Sequence, residues 1–294
     1  MPTTLSTLFE QFCRERKYLY NVTPKTLIWY QCSWVAFSQH IDAELPSDQL
    51  TEQMLKDAAI GLREAGLKPV SINTYLRCIN AWLRWMHQEG HVQERMKVIG
   101  PKTEQRVLPV LGSDQIRRIV KWKPKHFSHK RLHLVVLLIL DSGLRISEVL
   151  GISRDDISLE QSTVRVMGKG RRERVVPFSL ELRKHLFRWM QHHQHELVFS
   201  GRHGSRLTVR YIQRQFKWLQ EKLKIQGVRM SPHTLRHTFA TYYVRSGGGE
   251  FRLQRMLGHS TLEMTRRYVN LQTEDLQAVW TFKRSCTRRK RPRS

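Results

Sequence analysis

Six side chains between residues 145 and 268 have the types needed to attack a phosphodiester. They are two arginines, a lysine, two histidines and, last along the chain, a tyrosine: Arg145, Lys169, His233, Arg236, His259 and Tyr268. A phenol can act as a nucleophile, and guanidinium, ammonium and imidazole groups can bind phosphate oxygens or move protons. The set therefore indicates phosphoryl transfer through a side chain.

Two of these residues open a predicted helix. Ser231 is a good N-cap and Pro232 a good first residue, so His233 and Arg236, three residues apart, are expected to share a face near the start of the helix. The positive end of a helix dipole favours a phosphate there. Taken alone, a His-x-x-Arg pattern is more often structural.

The histidine and tyrosine farther along flank another predicted helix. Residues 256–260 end one helix and start the next, where Ser260 and Glu263 fit a capping box. His259 then lies at one end of that helix and Tyr268 about two turns on. The alternative for Tyr268 is an amphipathic residue packed near the C-terminus.

The remaining cations have structural alternatives as well. Arg145 and Glu148 are spaced i, i+3, which is either a surface ion pair worth under about 1 kcal/mol or a carboxylate that orients a phosphate-binding guanidinium. Lys169 lies between two β-rich runs, Thr163–Met167 and 174–178, at the basic tip of a predicted hairpin. Such tips are often basic because they are solvated, but a lysine there is also suited to reach nucleic acid.

Composition points to a polyanionic partner. The 294 residues include 51 Lys and Arg against 25 Asp and Glu, a formal charge of +26. The longest apolar run, residues 134–140, is too short to span a bilayer, and the N-terminus does not have the pattern of a signal peptide. We therefore expect a cytoplasmic protein without a membrane partner. The cysteines match no metal-ligand spacing; they are Cys13, Cys32, Cys78 and Cys286.

The elements that must position the site fall into two predicted domains. Four amphipathic helices account for residues 1–92, and residues 93–107, which have no sustained apolar period, are interpreted as a linker. In the second domain, residues 108–280, Ser113 is expected to cap a helix, residues 132–140 to form a central buried helix, and Gly143 to end it. The fold class is mainly α with a small antiparallel β-sheet. Residues 281–294 form a basic tail.

The helical domain also has basic residues left outside its apolar faces. They either contact a phosphate backbone or form a solvated face. They are Lys17, Lys25, Arg63, Lys68, Arg77 and Arg84.

Four segments carry a family resemblance. SGLRISEVLGISRDDI, GKGRRERVVP, SPHTLRHTFAT and LQRMLGHSTLEMTRRYVN resemble, in order and spacing, the tyrosine recombinases, which include phage integrases and Xer-type proteins. The match runs over about residues 108–280. The first domain resembles that family's helical, SAM-like core-binding domain with less specific motifs, and the second its α+β catalytic domain.

The resemblance implies a mechanism and partners. Tyr268 would be the nucleophile and form a 3′-phosphotyrosyl link to DNA. Arg145 and Arg236 would bind the non-bridging oxygens, His233 and His259 would assist with hydrogen bonds and proton transfer, and Lys169 would protonate the departing 5′-oxygen. Neither metal nor cofactor is implied. The two domains would close around duplex DNA, and four protomers, with accessory proteins as further candidate partners, would join two sites.

Two expectations concern the segments around the site. Residues 273–280 are predicted to form a short helix that docks in a neighbouring protomer. The glycine run 247–249 could loosen the position of His259.

Three other functions compete with this interpretation. A type IB topoisomerase uses a similar site without joining two DNAs, and a DNA-binding accessory protein would lack the chemistry. A metal nuclease would use the histidines near residue 200, which we interpret as solvated surface: His192, His193, His195 and His203. The DNA site, the biological role and the group that deprotonates Tyr268 stay open.

Overall fold

The computed structural model describes residues 3–103, 109–168 and 173–258, which belong to two compact units, Met1–Arg106 and Val107–Ser294. The described part of the first unit contains helices α1 (Leu5–Tyr18), α2 (Pro24–Phe37), α3 (Glu52–Glu64) and α4 (Pro69–Gln88), with a 3-10 turn at Ser47–Gln49. This confirms the predicted helical bundle.

Local capping explains where these helices begin. The hydroxyl of Thr23 accepts the N–H of Thr26 at 3.2 Å, and that of Thr51 accepts the N–H of Met54 at 3.2 Å. The third helix ends before Gly66, whose φ of +84° is a left-handed conformation that glycine adopts without strain.

An aromatic cluster fills the centre of the first unit. The rings of Phe9 and Trp34 stack with centroids 4.7 Å apart, and the fully buried Trp82 meets Phe9 edge-on. Trp85 donates its indole N–H to Glu15 at 2.7 Å. These contacts join α1, α2 and α4 into one core.

Part of the predicted linker is packed against this unit. Met96 and Val98 of the linker, and Val92 just before it, are buried in its core. The side chain of Asn80 accepts the N–H of Val98 at 2.8 Å and donates to its carbonyl at 2.9 Å. These three apolar residues lie among polar and charged ones and are too few for a sustained period, so the sequence gave no signal for this packing.

The second unit contains the helices α5 (Ser113–Lys121), α6 (Phe127–Ser142) and α7 (Ile146–Val149), then a 3-10 turn, Arg154–Asp156. Strands β1 (Ile157–Ser158), β2 (Thr163–Met167) and β3 (Glu173–Pro177) form an antiparallel sheet in the order β1-β2-β3. Helices α8 (Leu180–His192), α9 (Val209–Lys222), α10 (Pro232–Arg245) and α11 (Glu250–Leu257) follow. The mainly helical class with a small antiparallel sheet is confirmed.

Helix α6 is the centre of this unit. It is buried on nearly every side, as its apolar composition predicts, and α10 packs along it. The helix ends at Gly143, whose φ is +67°, as predicted.

Two local predictions differ from the structure, and one short strand was not predicted. Ser113 is the first helical residue, and Gly112 is the N-cap, with its N–H donating to Gln115 Oε1 at 3.0 Å. The predicted hairpin is present with Val164 opposite Val176, but β3 begins at Glu173, one residue earlier than expected. The two-residue strand β1 is too short to show a period in the sequence.

Gly143 allows a testable prediction about stability. A β-carbon at this position would collide with the ring of Phe239 and lie 2.8 Å from Leu257 Cδ2, in addition to the strain of a positive φ. We expect Gly143→Ala to lower the free energy of unfolding by about 2–4 kcal/mol, measured by urea denaturation.

Gly227→Ala is the matched control, because Gly227 has a φ of +76° but nothing within 4 Å of an added β-carbon. We expect Gly227→Ala to lower the free energy of unfolding by about 1 kcal/mol, through backbone strain alone. Equal losses in the two variants would contradict the packing explanation.

Candidate active site

The two residues of the His-x-x-Arg pattern, at the start of α10, differ in how far they are exposed to solvent. Ser231 caps the helix by accepting the N–H of Thr234 at 3.2 Å, and Pro232 is its first residue, as predicted. His233 is exposed, whereas Arg236, one turn farther along, is buried, with 6% of its surface accessible. The pair therefore presents one exposed imidazole and one enclosed guanidinium.

The guanidinium of Arg236 connects two distant segments. Its Nη1 donates to the carbonyl of Gly143 at 2.6 Å, and its Nη2 donates to the carbonyl of Leu257 at 2.7 Å. Because Gly143 follows α6 and Leu257 ends α11, this side chain ties the central helix to the segment that leads into His259.

Arg145 lies at the N-cap of the short helix α7. Its backbone N–H donates to Glu148 Oε2 and its Nη1 donates to Oε1, both at 2.8 Å. Its Nη2 donates to the carbonyl of Gly258 at 3.2 Å. The predicted pairing of Arg145 with Glu148 is confirmed, but the carboxylate is only 4% exposed, so the pair is not a surface ion pair.

A second arginine shares this carboxylate. Arg174, on β3, donates Nη1 to Glu148 Oε1 at 3.0 Å and Nη2 to Oε2 at 2.8 Å, a bidentate contact. Sequence reasoning missed Arg174, because it appeared only as one of several basic residues near the hairpin tip. The available signal was its position. Arg174 is the second residue of a strand whose side chains alternate between the two faces.

The two arginines keep Glu148 ionised. Burial by itself would raise the pKa of Glu148, but hydrogen bonds from Arg174 and Arg145 outweigh it and hold that pKa below the ordinary glutamate value. The carboxylate of Glu148 holds the guanidinium groups of Arg145 and Arg174 in place. Because two cations share one anion, the three groups together keep a net positive charge.

The three arginines converge on the end of α11. Arg174 Nε donates to the carbonyl of Met256 at 2.9 Å, so Arg174, Arg236 and Arg145 bind the carbonyls of three consecutive residues, 256–258. The last carbonyls of a helix have no partner within the helix and carry its negative dipole end. Tertiary structure thus brings Arg145, Arg174 and Arg236 to adjacent carbonyls at the end of α11.

Glycines around α11 fit this arrangement. Gly258 has a φ of +62°, and an added β-carbon would lie 3.0 Å from Arg174 Nη1. In the run 247–249, Gly247 has a φ of +79°, and a β-carbon on Gly248 would collide with the ring of Tyr243. The glycine run therefore allows close packing ahead of α11.

Three predicted site residues lie outside the described residues: Lys169, His259 and Tyr268. The predicted helix 273–280 and the basic tail lie outside them too.

The histidines near residue 200 do not form a metal site in the described part of the chain. No group of three or more His, Cys, Asp or Glu residues within the ranges given above could hold a metal ion. The interpretation as solvated surface is wrong for His193, which is 3% exposed and has Nε2 2.9 Å from Ser200 Oγ. Across the same ranges, no helix combines the length and apolar character required to span a membrane.

Comparisons with known proteins agree with this fold. The chain is 28% identical over 286 residues to tyrosine recombinase XerC of Corynebacterium glutamicum, covering 94% of this chain and 91% of that protein. It is 27% identical over 291 residues to XerC of Proteus mirabilis, covering 95% and 94%.

Two solved structures share the fold. The Tn1549 transposon integrase bound to a circular intermediate DNA superposes with a TM-score of 0.75 at 21% identity, covering 90% of this chain and 95% of that one. A lambda integrase dimer bound to a core site gives a TM-score of 0.75 at 18% identity, with the same coverage. The phage integrase family matches residues 109–275, more than half of the 294 residues. This chain therefore belongs to the phage integrase family, the tyrosine recombinases.

Proposed function

We propose that this protein is a site-specific DNA recombinase that cuts and rejoins strands through Tyr268, in the integration, excision or resolution of a mobile element. The observation that carries the proposal is the meeting of Arg145 and Arg236 at the end of α11, directly before His259. Two guanidinium groups at one place suit an anion with two non-bridging oxygens.

The chemistry balances without an external energy source. Tyr268 gives up its phenol proton to a basic group or to water, and its Oη forms a bond to phosphorus while the bond from phosphorus to the 5′-oxygen breaks. Lys169 supplies the proton that the leaving oxygen takes up, and it regains a proton from solvent. Arg145 and Arg236 stabilise the charge on the non-bridging oxygens, assisted by His233 and His259. Attack by a 5′-hydroxyl on the phosphotyrosyl bond reverses the step, so the phosphodiester bond energy is retained.

The assembly follows from the same proposal. Four protomers join two recombination sites, and accessory proteins are further candidate partners. The helical unit contributes DNA contacts through exposed cations such as Lys25, Arg77 and Arg84. Because its substrate is DNA, we place the protein in the cytoplasm.

Covalent capture tests the proposed function. The full-length chain is incubated with fragmented genomic DNA from its own source, denatured in detergent, and the DNA that stays bound is sequenced. We expect fragments that share one site and end in a 3′-phosphotyrosyl link. The proposal fails if no detergent-stable adduct forms or if the link is to a 5′-phosphate.

The rival topoisomerase function predicts a different result. Such an enzyme relaxes supercoiled plasmids that lack any particular site, whereas the proposed recombinase acts only on plasmids carrying the captured sequence.

Arg174 gives a prediction about positioning. We expect Arg174→Met to lower the rate of strand cleavage about 10- to 100-fold while DNA affinity stays unchanged. The reason is that Arg174 joins β3, Glu148 and the carbonyl of Met256, so its loss misplaces Arg145 and the start of the His259 segment. Single-turnover cleavage and equilibrium binding measure the two quantities separately.

Two further variants separate this role from general stability. Arg165→Met removes a more exposed arginine from the same sheet, where it pairs with Asp156 at 3.1 Å, and should leave cleavage unchanged. Arg174→Lys keeps the charge but cannot make the bidentate contact, so it should recover little activity. Equal cleavage rates in Arg174→Met and the unmodified protein would show that Arg174 is not needed.

A further inference from the structure

The first described residues of the second unit, 109–118, bind the helix that carries His233 and Arg236. We call these residues the entry segment. The backbone N–H of the buried Leu111 donates to Thr238 Oγ1, in the middle of α10, at 3.1 Å. The two residues are 127 positions apart in the sequence, so this hydrogen bond joins the start of the unit to α10.

The hydroxyl of Thr238 both donates and accepts a hydrogen bond. Thr238 is 1% exposed, and its Oγ1 donates to the carbonyl of Thr234 at 2.8 Å while it accepts the N–H of Leu111. A buried backbone N–H without an acceptor is destabilising by more than the worth of an average hydrogen bond. The contact therefore fixes where α10 lies relative to the entry segment.

This contact and Arg236 hold α10 from different sides. Successive residues of an α-helix are about 100° apart around its axis, so Thr238 and Arg236, two positions apart, project from roughly opposite sides. Arg236 binds the carbonyls of Gly143 and Leu257. Helix α10 is therefore held between the entry segment on one side and these two carbonyls on the other.

The entry segment also holds the connection that leads into α10. Gln115 Nε2 donates to the carbonyl of Gln226 at 2.8 Å. Arg118 Nη1 donates to the carbonyls of Leu223 and Lys224 at 3.1 and 3.0 Å. Since these carbonyls end α9 and begin the connection to α10, the entry segment contacts α10 directly and also through its preceding residues.

Gln220, on α9, keeps this connection in one conformation. Its Nε2 donates to the carbonyls of Ile225 and Val228, both at 3.3 Å, and its Oε1 accepts the N–H of Met230 at 2.8 Å. Because three backbone groups of the connection are bound to one side chain, a shift of the entry segment would be carried to the start of α10.

We propose that the entry segment positions α10 for strand cleavage, with Thr238 as the positioning residue. Through its bond to Leu111, Thr238 sets where Arg236 and His233 meet the scissile phosphate. The inference rests on the proposed function, which assigns those two residues to the phosphate. Phosphoryl transfer depends on accurate placement of charge, so a small displacement of α10 lowers the cleavage rate without weakening DNA binding.

Removal of the Thr238 hydroxyl tests the proposal in the full-length chain. Thr238→Val keeps the shape of the side chain without the hydroxyl, and Thr238→Ser keeps the hydroxyl. We expect Thr238→Val to lower single-turnover cleavage of the captured site about 10- to 100-fold at saturating DNA. The dissociation constant for DNA should stay unchanged, and Thr238→Ser should restore most of the cleavage rate.

Thr241→Val is the matched control on the same helix. Thr241 is also 1% exposed, but among the residues that the structure describes its Oγ1 has no hydrogen-bond partner. The substitution therefore breaks no hydrogen bond, and the cleavage rate should equal that of the unmodified protein. Equal rates in Thr238→Val and Thr241→Val overturn the proposal.

Two neighbouring arginines on α5 give a test that avoids a buried substitution. Arg118→Met removes the hydrogen bonds to Leu223 and Lys224, and Arg117→Met removes the same charge from an arginine that pairs with Asp114 at 3.0 Å. If urea denaturation shows that Thr238→Val does not fold, this pair decides. Slower cleavage by Arg118→Met than by Arg117→Met supports the proposal, and equal rates overturn it.

Hydrogen exchange without DNA gives a readout that is independent of the proposed function. The amides of α10 should exchange about tenfold faster in Thr238→Val than in Thr241→Val, measured by mass spectrometry. Unchanged exchange overturns the proposal whether or not the unmodified protein forms a covalent adduct. Faster exchange with an unchanged cleavage rate shows a structural contact only and overturns the positioning role, whereas absence of an adduct in the unmodified protein contradicts the proposed function instead.

Discussion

Tyr268→Phe is expected to abolish the covalent protein–DNA adduct, a loss of about 10⁴-fold or more in single-turnover cleavage. The substitution removes only the oxygen that bonds to phosphorus, and no other group in the proposed mechanism replaces it. DNA affinity should stay unchanged, because the guanidinium, ammonium and imidazole groups are all retained. The assay uses a nicked duplex carrying the captured site, so that the released fragment cannot rejoin and the adduct accumulates.

A second tyrosine variant controls for the loss of a hydroxyl. Tyr243→Phe, on α10 in the same unit, should form adduct at the normal rate, since Tyr243 contributes its ring to packing against Phe239 and Gly248. Full adduct formation by Tyr268→Phe would assign the nucleophile to another residue and contradict the mechanism.

Arg236→Lys is expected to lower cleavage about 10³-fold. Lysine keeps the positive charge but loses the fork that binds the carbonyls of Gly143 and Leu257 at 2.6 and 2.7 Å. A buried point charge cannot hold both carbonyls and a phosphate oxygen in the same geometry. The cleavage rate is measured under single-turnover conditions. Urea denaturation confirms that the variant is folded.

A modified substrate distinguishes charge stabilisation from a structural role for Arg236. Replacing one non-bridging oxygen of the scissile phosphate with a methyl group removes the charge that the guanidinium is proposed to stabilise. The difference in cleavage rate between Arg236→Lys and the unmodified protein should then fall to about tenfold or less, because less charge develops in the transition state. A defect that stays near 10³-fold on the neutral substrate would mean that Arg236 acts only by holding α6 and α11 together.

Several features of this fold depend only on residues close to each other in the sequence. Ser231 and Pro232 specify the start of α10, and Gly143 specifies the end of α6, because caps and left-handed positions depend on a few neighbouring residues. The pairing of Arg145 with Glu148 was also predictable, since residues three apart around a helix start are neighbours in space.

Features that depend on distant residues were not predictable in this way. The packing of residues 92–98 on the first unit depends on Asn80, and the burial of His193 depends on the turn that follows it. In both cases most of the surrounding residues are polar or charged, and contacts made elsewhere in the chain decide the burial.

The sequence alone determined the residue types of the site, the family and most helix boundaries, because these depend on local spacing and capping. Only the tertiary structure decided that Arg145, Arg174 and Arg236 bind three consecutive carbonyls at the end of α11. Those donors and acceptors are 21 to 113 residues apart, so their meeting depends on how α6, α10, α11 and the sheet pack. The packing of those elements depends on burying their apolar faces, which no short segment of sequence specifies.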